Sequence, residues 1–466
     1  MTARHGQNGP YKSPSDTKLR IKEAISVKRT RKWIVWASAL GLTSALAGCG
    51  SSSANGPTTV TIWTWRSQDA GMWKTVQNAL NKKGANIRIQ LRAINPTSYD
   101  SVLQTAMDGG QGPDIFYGRA GIGTMDYAAA GMIQPLNKAV NFSAVNPATL
   151  PAVTYKGKYY GVPLNLETMG IFYNKALFKQ DGLSVPKTWA QFIHTCQVLK
   201  SHKITPIYSM GLQGWMLALN FDEVGATMMG DHFTQKLVKD QANFQSGPYV
   251  NALSHYQALA QYMEPNFQAV GSADNEQQVA LATGKAGMIF DGTFDVPTIY
   301  QYNPHIQLGM FLVPPATSSQ HRRIDWYEDG DLALNSHIKN PAAAKAARTI
   351  LQYAATRTFG QDFSNIAGGI SAIKGVHIPT KYPLAVKAYH WFQTRPINPI
   401  FGIRSAMDTP PVSAASVKSK SSKNLNTDKG IFTAELTYML PLLEHKLTPK
   451  QAAQKIEKTV SWYFHG

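Results

Sequence analysis

The sequence predicts an α/β fold built on covered sheets, and three neighbouring observations carry that reading. Thr59-Val60-Thr61-Ile62-Trp63-Thr64-Trp65 is almost continuous in β-branched and aromatic residues, as in a strand covered on both faces. Trp73, Val76 and Leu80 then recur along one face of a helix. Ile87, Ile89 and Leu91 alternate with Arg88, Gln90 and Arg92, which is the period of a second strand. A strand, a helix and a strand in that order make a crossover unit whose sheet is covered by its own connection.

Ahead of this unit, Lys28, Arg29, Arg31 and Lys32 precede an apolar run from Trp33 to Ala47, and Leu46-Ala47-Gly48-Cys49 follows. A basic region, a short apolar region and small residues before a cut describe an export signal over residues 1–48, with a long stretch before its basic part. The apolar run falls short of the roughly 20 residues that span a bilayer as a helix. The Leu-Ala-Gly-Cys ending resembles a bacterial lipobox, which implies that Cys49 carries lipid; a retained anchor with an incidental cysteine is the competing reading. Residues 49–57 are then a flexible, lipidated tether.

Beyond the crossover unit, Tyr99 to Met107 reads as a helix, ended by Asp108-Gly109-Gly110-Gln111-Gly112. Pro113 to Tyr117 supplies a short strand, and Gly118-Arg119-Ala120-Gly121 lies at its carboxyl end, where open α/β sheets commonly bind ligands. Gly161 to Glu167 reads as a crossing between domains, and Met169 to Lys175 as the entrance to another α/β domain. Further helices are expected at Trp189 to Leu199, Asn251 to Tyr262, Glu276 to Thr283 and Ala342 to Tyr353. Gly287 to Phe290 is a short apolar strand, with a second crossing expected near Pro297. Thr448-Pro449-Lys450-Gln451 has the form of a helix start with a reciprocal cap, and Ile456, Val460 and Phe464 follow on one face. The Ser-, Lys- and Asn-rich stretch over residues 413–426 reads as an exposed loop.

The 466 residues suffice for two or three domains with substantial cores, and 43% hydrophobic with 16% charged residues fits a globular chain. The formal charge of +18 is partly the signal's: without residues 1–48 there remain 37 basic and 26 acidic residues, a net +11. The excess is not gathered into a motif that reads DNA or RNA, so a solvated basic surface is expected and no nucleic-acid partner. With Cys49 lipidated, Cys196 is left without a disulfide partner and no thiolate metal cluster can form. Its place in a helical stretch suits a small buried hydrophobe.

Taken in order, Thr59 to Trp65, Gly112-Pro113-Asp114-Ile115-Phe116, Val162-Pro163-Leu164-Asn165, Tyr173 to Phe178, Pro186-Lys187-Thr188-Trp189, Gly284 to Met288 and the Pro341 helix resemble the extracellular solute-binding proteins of family 1. That group contains maltose-type and multiple-sugar receptors, and the resemblance covers nearly all of residues 58–466. It implies a two-lobed, periplasmic-binding-protein-like fold with several crossings and a ligand cleft between the lobes. The first lobe would use residues 58–165 and 300–365, the second 166–299 and 366–466. It also implies an extracytoplasmic component of an ABC importer that reversibly captures a carbohydrate, here an oligosaccharide, for the transmembrane subunits of a permease. The protein would be a monomer on the outer face of the cytoplasmic membrane, held by Cys49, with no cofactor and no metal. Two departures from the family stand out: Asp329-Gly330-Asp331 where relatives often have a glycine-rich turn, and a basic Gly118-Arg119-Ala120 loop that leaves room for an acidic sugar.

Sugars are recognised by aromatic faces over their C–H surfaces and by fixed polar groups on their hydroxyls. Trp65 and Asp69 offer both from the loop after the first strand, with core packing and helix capping as their competing roles. Arg119 can direct hydrogen bonds to a sugar oxygen or pair with a carboxylate, or be merely solvated. By the resemblance, Glu167 at the first crossing reaches the cleft, against a hinge or surface ion pair. Trp215, after Gly211-Leu212-Gln213-Gly214, is a candidate for stacking or for a core. Asp291 ends the Gly287 to Phe290 strand, aimed into the cleft or capping the turn at Gly292. Trp326 and Asp329 form a second aromatic and carboxylate set.

Two other functions compete. An extracellular glycoside hydrolase could use Glu167 and Asp291 as its carboxylate pair. An adhesive surface lipoprotein would share the lipobox. Against an enzyme, the chain has no Gly-x-Ser-x-Gly, His-Glu-x-x-His or Walker motif, and His202, His232 and His321 are dispersed.

Overall fold

Strands β1 (Thr58–Thr64) and β2 (Ile87–Ala93) pair in parallel over seven residues, with the helix Ala70–Lys82 between them in sequence. Met72, Trp73, Val76 and Leu80 are the buried face of that helix, so the helical spacing of the sequence becomes the cover of the sheet. These coordinates belong to a computed structural model that describes residues 56–119, 122–230, 232–273, 275–317, 321–395 and 430–464. The export signal, Cys49 and the stretch 413–426 lie outside the described residues.

The first sheet continues with β3 (Ile115–Gly118), parallel to β1, while β4 (Thr154–Tyr155) and β5 (Lys158–Tyr159) form a separate short hairpin. Then comes β6 (Gly161–Pro163), after which the chain leaves through β7 (Asn165–Asn174), a ten-residue strand. The second sheet is assembled on β7, with β8 (Thr205–Tyr208), β9 (Ala286–Gly292) and β10 (Leu308–Phe311) in the order β10-β7-β9-β8. Two further strands, β11 (Trp326–Glu328) and β13 (Ile370–Ser371), pair with the first residues of β7. Between them in sequence, β12 (Asp331–Leu334) returns to the first sheet, whose order is β2-β1-β3-β12-β6.

Each sheet has its own core. Val60, Ile62, Trp73, Phe116, Leu332, Ile350 and Phe363 belong to the first. Ile171, Phe192, Phe221, Phe290, Phe311 and Met439 form the larger cluster on the second sheet, and Phe172, Ile289, Met310 and Trp391 lie in another. Two sheets with separate cores joined by a few strands give the two lobes.

Three segments cross between the lobes, and they are bonded to one another. The Leu164 N–H donates to the Gly330 carbonyl at 3.0 Å, Asp329 N–H to Asn165 at 3.2 Å and Ala372 N–H to Leu164 at 3.1 Å. This corrects the expected lobe boundaries. The return to the first lobe falls at Asp329–Gly330 and not near Pro297, because Leu308–Phe311 pairs antiparallel with β7 and Ile306, Leu312 and Ile324 pack in a core of the second sheet. The last exit falls at Ile370–Ile373 and not at residue 365, because Ala367 and Ile373 still pack in the first core.

Local chemistry explains the elements that the sequence announces. Thr448 and Gln451 exchange side-chain and backbone hydrogen bonds at the start of Pro449–Thr459, the reciprocal cap expected there. Cys196 is fully buried in Trp189–Ser201, and burial pushes its thiol pKa up, away from thiolate reactivity.

Candidate functional site

Where the crossings meet, a single guanidinium gathers three carboxylates. Arg66 lies two residues past the end of β1, and its side chain is 2% exposed. Its Nε donates to Asp69 Oδ2 at 3.0 Å, and its Nη1 lies 2.6 Å from Asp329 Oδ2 and 3.4 Å from Glu167 Oε1. Burial opposes the Arg66 charge, but Asp69, Asp329 and Glu167 more than offset that and hold its pKa above the ordinary arginine value. Asp69 and Arg66 come from the first lobe, Glu167 from β7 and Asp329 from the second crossing, so the cluster ties the lobes together at the hinge.

Hydrogen bonds fix each member. Trp73 Nε1 donates to the Tyr117 hydroxyl at 2.9 Å, which donates to Asp69 Oδ2 at 2.9 Å, so the first core holds Asp69 in place. Glu167 accepts from the Asn165 amide and from the hydroxyl of Thr293, just beyond β9. Burial, with Asp329 nearby, raises the Glu167 pKa despite Arg66. Asp291 is fully buried, and Gln278 donates to it at 2.7 Å and to Asp295 at 2.6 Å. Burial, then mutual repulsion with Asp295, raises the Asp291 pKa.

An aromatic wall adjoins these acids. Tyr327 sits opposite Glu167 in the β11–β7 register, and Phe294 follows Thr293. Both pack with half-buried Trp215 around Met169, Met210 and Met216. The Trp215 and Phe294 ring centres are 6.2 Å apart, and Trp215 Nε1 is fixed by Gln213 Oε1 at 2.8 Å. On the first-lobe side, half-buried Trp65 packs edgewise against Tyr99 and Tyr117, at 5.0 and 5.7 Å. A side chain at Gly330 would begin 3.1 Å from the Trp65 ring, and the φ of +95° at Gly330 also favours glycine.

Thus Asp69, Glu167 and Asp329 converge on Arg66, with Trp65 against Gly330 and Trp215 beside Tyr327. Three candidates are placed differently. Asp291 sits opposite Gly170 in the β7–β9 register, on the other strand face from Glu167, and is held by Gln278. Trp326 lies on the opposite strand face from Tyr327 and packs against Phe392 at 6.0 Å, so Tyr327 presents the aromatic surface beside Glu167. Arg119 is held away from the carboxylate cluster: its Nε bonds Asp100 at 3.2 Å, its Nη2 bonds the Pro96 carbonyl at 3.2 Å, and its guanidinium covers Trp65 at 4.2 Å. Sequence reasoning missed Arg66, Thr293, Asp295 and Tyr327. Arg66 carried a legible signal, a basic residue three positions before Asp69.

A family profile described as bacterial extracellular solute-binding protein matches residues 64–357, more than half of the chain. The multiple sugar-binding protein of Streptococcus mutans is 24% identical over 357 residues, which cover 74% of this chain and 83% of that protein. Among solved structures, the bacterial solute receptor AcbH, described as preferring β-D-galactopyranose, aligns with a TM-score of 0.70 at 18% identity, covering 88% of this chain and 100% of its own. A complex of RafE with raffinose aligns with a TM-score of 0.66 at 18% identity, covering 87% and 98%. At these identities the structural matches establish a shared fold.

Proposed function

This chain belongs to the bacterial extracellular solute-binding protein family, and from that premise we propose that it is the extracytoplasmic component of an ABC importer that captures an oligosaccharide. The observation that carries the reading is the meeting of Trp65 and the Trp215–Tyr327–Phe294 wall with fixed carboxylates at the point where three segments cross between lobes. Aromatic faces and acceptors on two hinged bodies suit a flat, hydroxyl-rich ligand that is gripped and released. Several relatives are named for the sugars they bind, which supports the same solute class.

Binding proceeds without turnover. Glu167 is engaged by Arg66, Asn165 and Thr293, and Asp291 by Gln278 and the Gly292 N–H, so both carboxylates are committed to holding structure. Lipid on Cys49 tethers the monomer to the outer face of the cytoplasmic membrane, and the closed form delivers solute to the permease subunits.

Thermal melts of the purified protein against a panel of oligosaccharides test this reading. A cognate sugar raises Tm as ligand binds the native state, and chromatography returns that sugar uncut. Cleavage products that accumulate with the protein, and vanish on Glu167→Gln, would favour the hydrolase.

A further inference from the structure

We propose that the first lobe carries a second carbohydrate site, a cleft apart from the hinge cluster that takes a sugar bearing an anionic group, a uronate carboxylate or a phosphate ester. The cleft is lined by first-lobe residues alone, so its occupation neither requires nor drives movement between the lobes.

Its volume is about 530 Å³, within the range of small-ligand sites. Asn137, Lys138, Asn141 and Phe142 line it from one stretch of chain, Tyr159 from β5, and Gln352 from the helix Pro341–Ala354. The half-buried Phe142 and Tyr159 rings have centres 4.7 Å apart and planes at 53°. Rings so placed give apolar cover for the C–H face of a sugar.

The polar groups set the charge of the ligand. Each carboxamide has its oxygen committed to a backbone N–H: Asn137 Oδ1 accepts from Tyr159 at 2.8 Å, Gln352 Oε1 from Asn141 at 2.9 Å, and Asn141 Oδ1 from Ser143 at 3.0 Å. A backbone N–H can face only the oxygen end of a carboxamide, so these bonds fix which end is which. The three NH2 groups donate to no acceptor among the described residues, and the exposed Lys138 ammonium makes no ion pair there. No Asp or Glu lines the cleft. It therefore offers several donors and a positive charge with no facing acid. An anionic group accepts several such bonds at once, each with charge assistance, which a neutral hydroxyl does not.

The test is calorimetric titration of the purified protein and two variants, at low salt, with trigalacturonate, glucose 6-phosphate, maltotriose and inorganic phosphate. Gln352→Glu keeps an oxygen for the Asn141 N–H and replaces the donor with negative charge, whereas Lys138→Ala removes the exposed ammonium. Gln352→Glu is expected to weaken the tighter of the two anionic sugars at least about tenfold, and Lys138→Ala several-fold, with maltotriose unaffected. Whichever anionic sugar binds more tightly identifies the group as carboxylate or phosphate. If Gln352→Glu lowers Tm, the exposed Lys138→Ala decides alone. Anionic sugars that bind all three proteins alike, or bind none, overturn the inference, as does an equal loss for maltotriose. Inorganic phosphate that matches the tighter anionic sugar leaves the rings unused and overturns the assignment to a sugar. The substituted residues lie outside the Arg66 cluster, so these outcomes leave the hinge-site reading to its own test.

Discussion

Arg66 organises the site although it is neither aromatic nor a carboxylate, the two chemistries from which sugar contacts are ordinarily sought. Its partners Asp69, Glu167 and Asp329 were legible because each follows a strand or sits at a crossing, places where a side chain can be aimed into a cleft. Arg66 lies in the same loop, but a guanidinium beside Trp65 reads equally well as solvated until the fold brings Glu167 from 101 residues away. Trp326 and Tyr327 show the opposite difficulty. In the three-residue strand β11, one step of register decides which ring meets the acids, and neither neighbour in sequence fixes that step. Trp215 supplies the residue-scale prediction. Its ring is half-buried and its Nε1 is fixed by Gln213, so Trp215→Ala should weaken binding of the cognate sugar by roughly 1–3 kcal/mol. Titration read beside a melt of the unliganded variant checks this. Lost affinity with collapse of the apo fold would assign Trp215 to packing, and unchanged affinity would remove it from the site.

Among elements, the informative ones are the crossings. β12 enters the first sheet between β3 and β6, and its first residue, Asp331, is fully buried there. Only glycine fits beside it at Gly161, where a side chain would begin 2.1 Å from Asp331 Oδ1. Asp331 Oδ2 accepts from the Thr124 hydroxyl at 2.6 Å, and burial raises its pKa from 3.8 to about 7. Between those values the native state keeps a proton that the unfolded chain has released. Its contribution to stability is therefore complete below pH 3.8 and is lost as pH rises through about 7, on the order of 4 kcal/mol in all. Asp331→Asn can still accept the Thr124 bond but does not titrate, so urea unfolding at pH 4.5 and 7.5 should show a smaller loss of stability in the variant. Equal losses would contradict a neutral Asp331. The sequence marks such elements by periodicity and caps, as for Ala70–Lys82 and Thr448, but not their sheet. Leu308–Phe311 is a four-residue apolar run with nothing in it to name β7 as its partner, and the return to the first lobe was therefore placed too early.

For the molecule as a whole, two sheets on separate cores are joined by three hydrogen-bonded crossings, and the proposed ligand site lies where those crossings meet. That arrangement lets solute binding act on both lobes at once, as the proposed importer role requires. Attachment belongs to the same scale. The Leu46-Ala47-Gly48-Cys49 ending predicts that a radiolabelled fatty acid marks the wild-type protein and spares Cys49→Ser, whereas equal labelling would reject this anchor. The central claim is reversible capture of one sugar at the Arg66 cluster. It is tested most directly by calorimetric titration of wild type and Glu167→Gln with the oligosaccharide that most raises Tm. The account predicts a single saturable site, one sugar per chain, whose affinity falls at least about tenfold in the variant as the Arg66 cluster that fixes the site loses its charge-assisted bond to Glu167. Undiminished affinity in Glu167→Gln, or heat that continues with turnover instead of saturating, would contradict it.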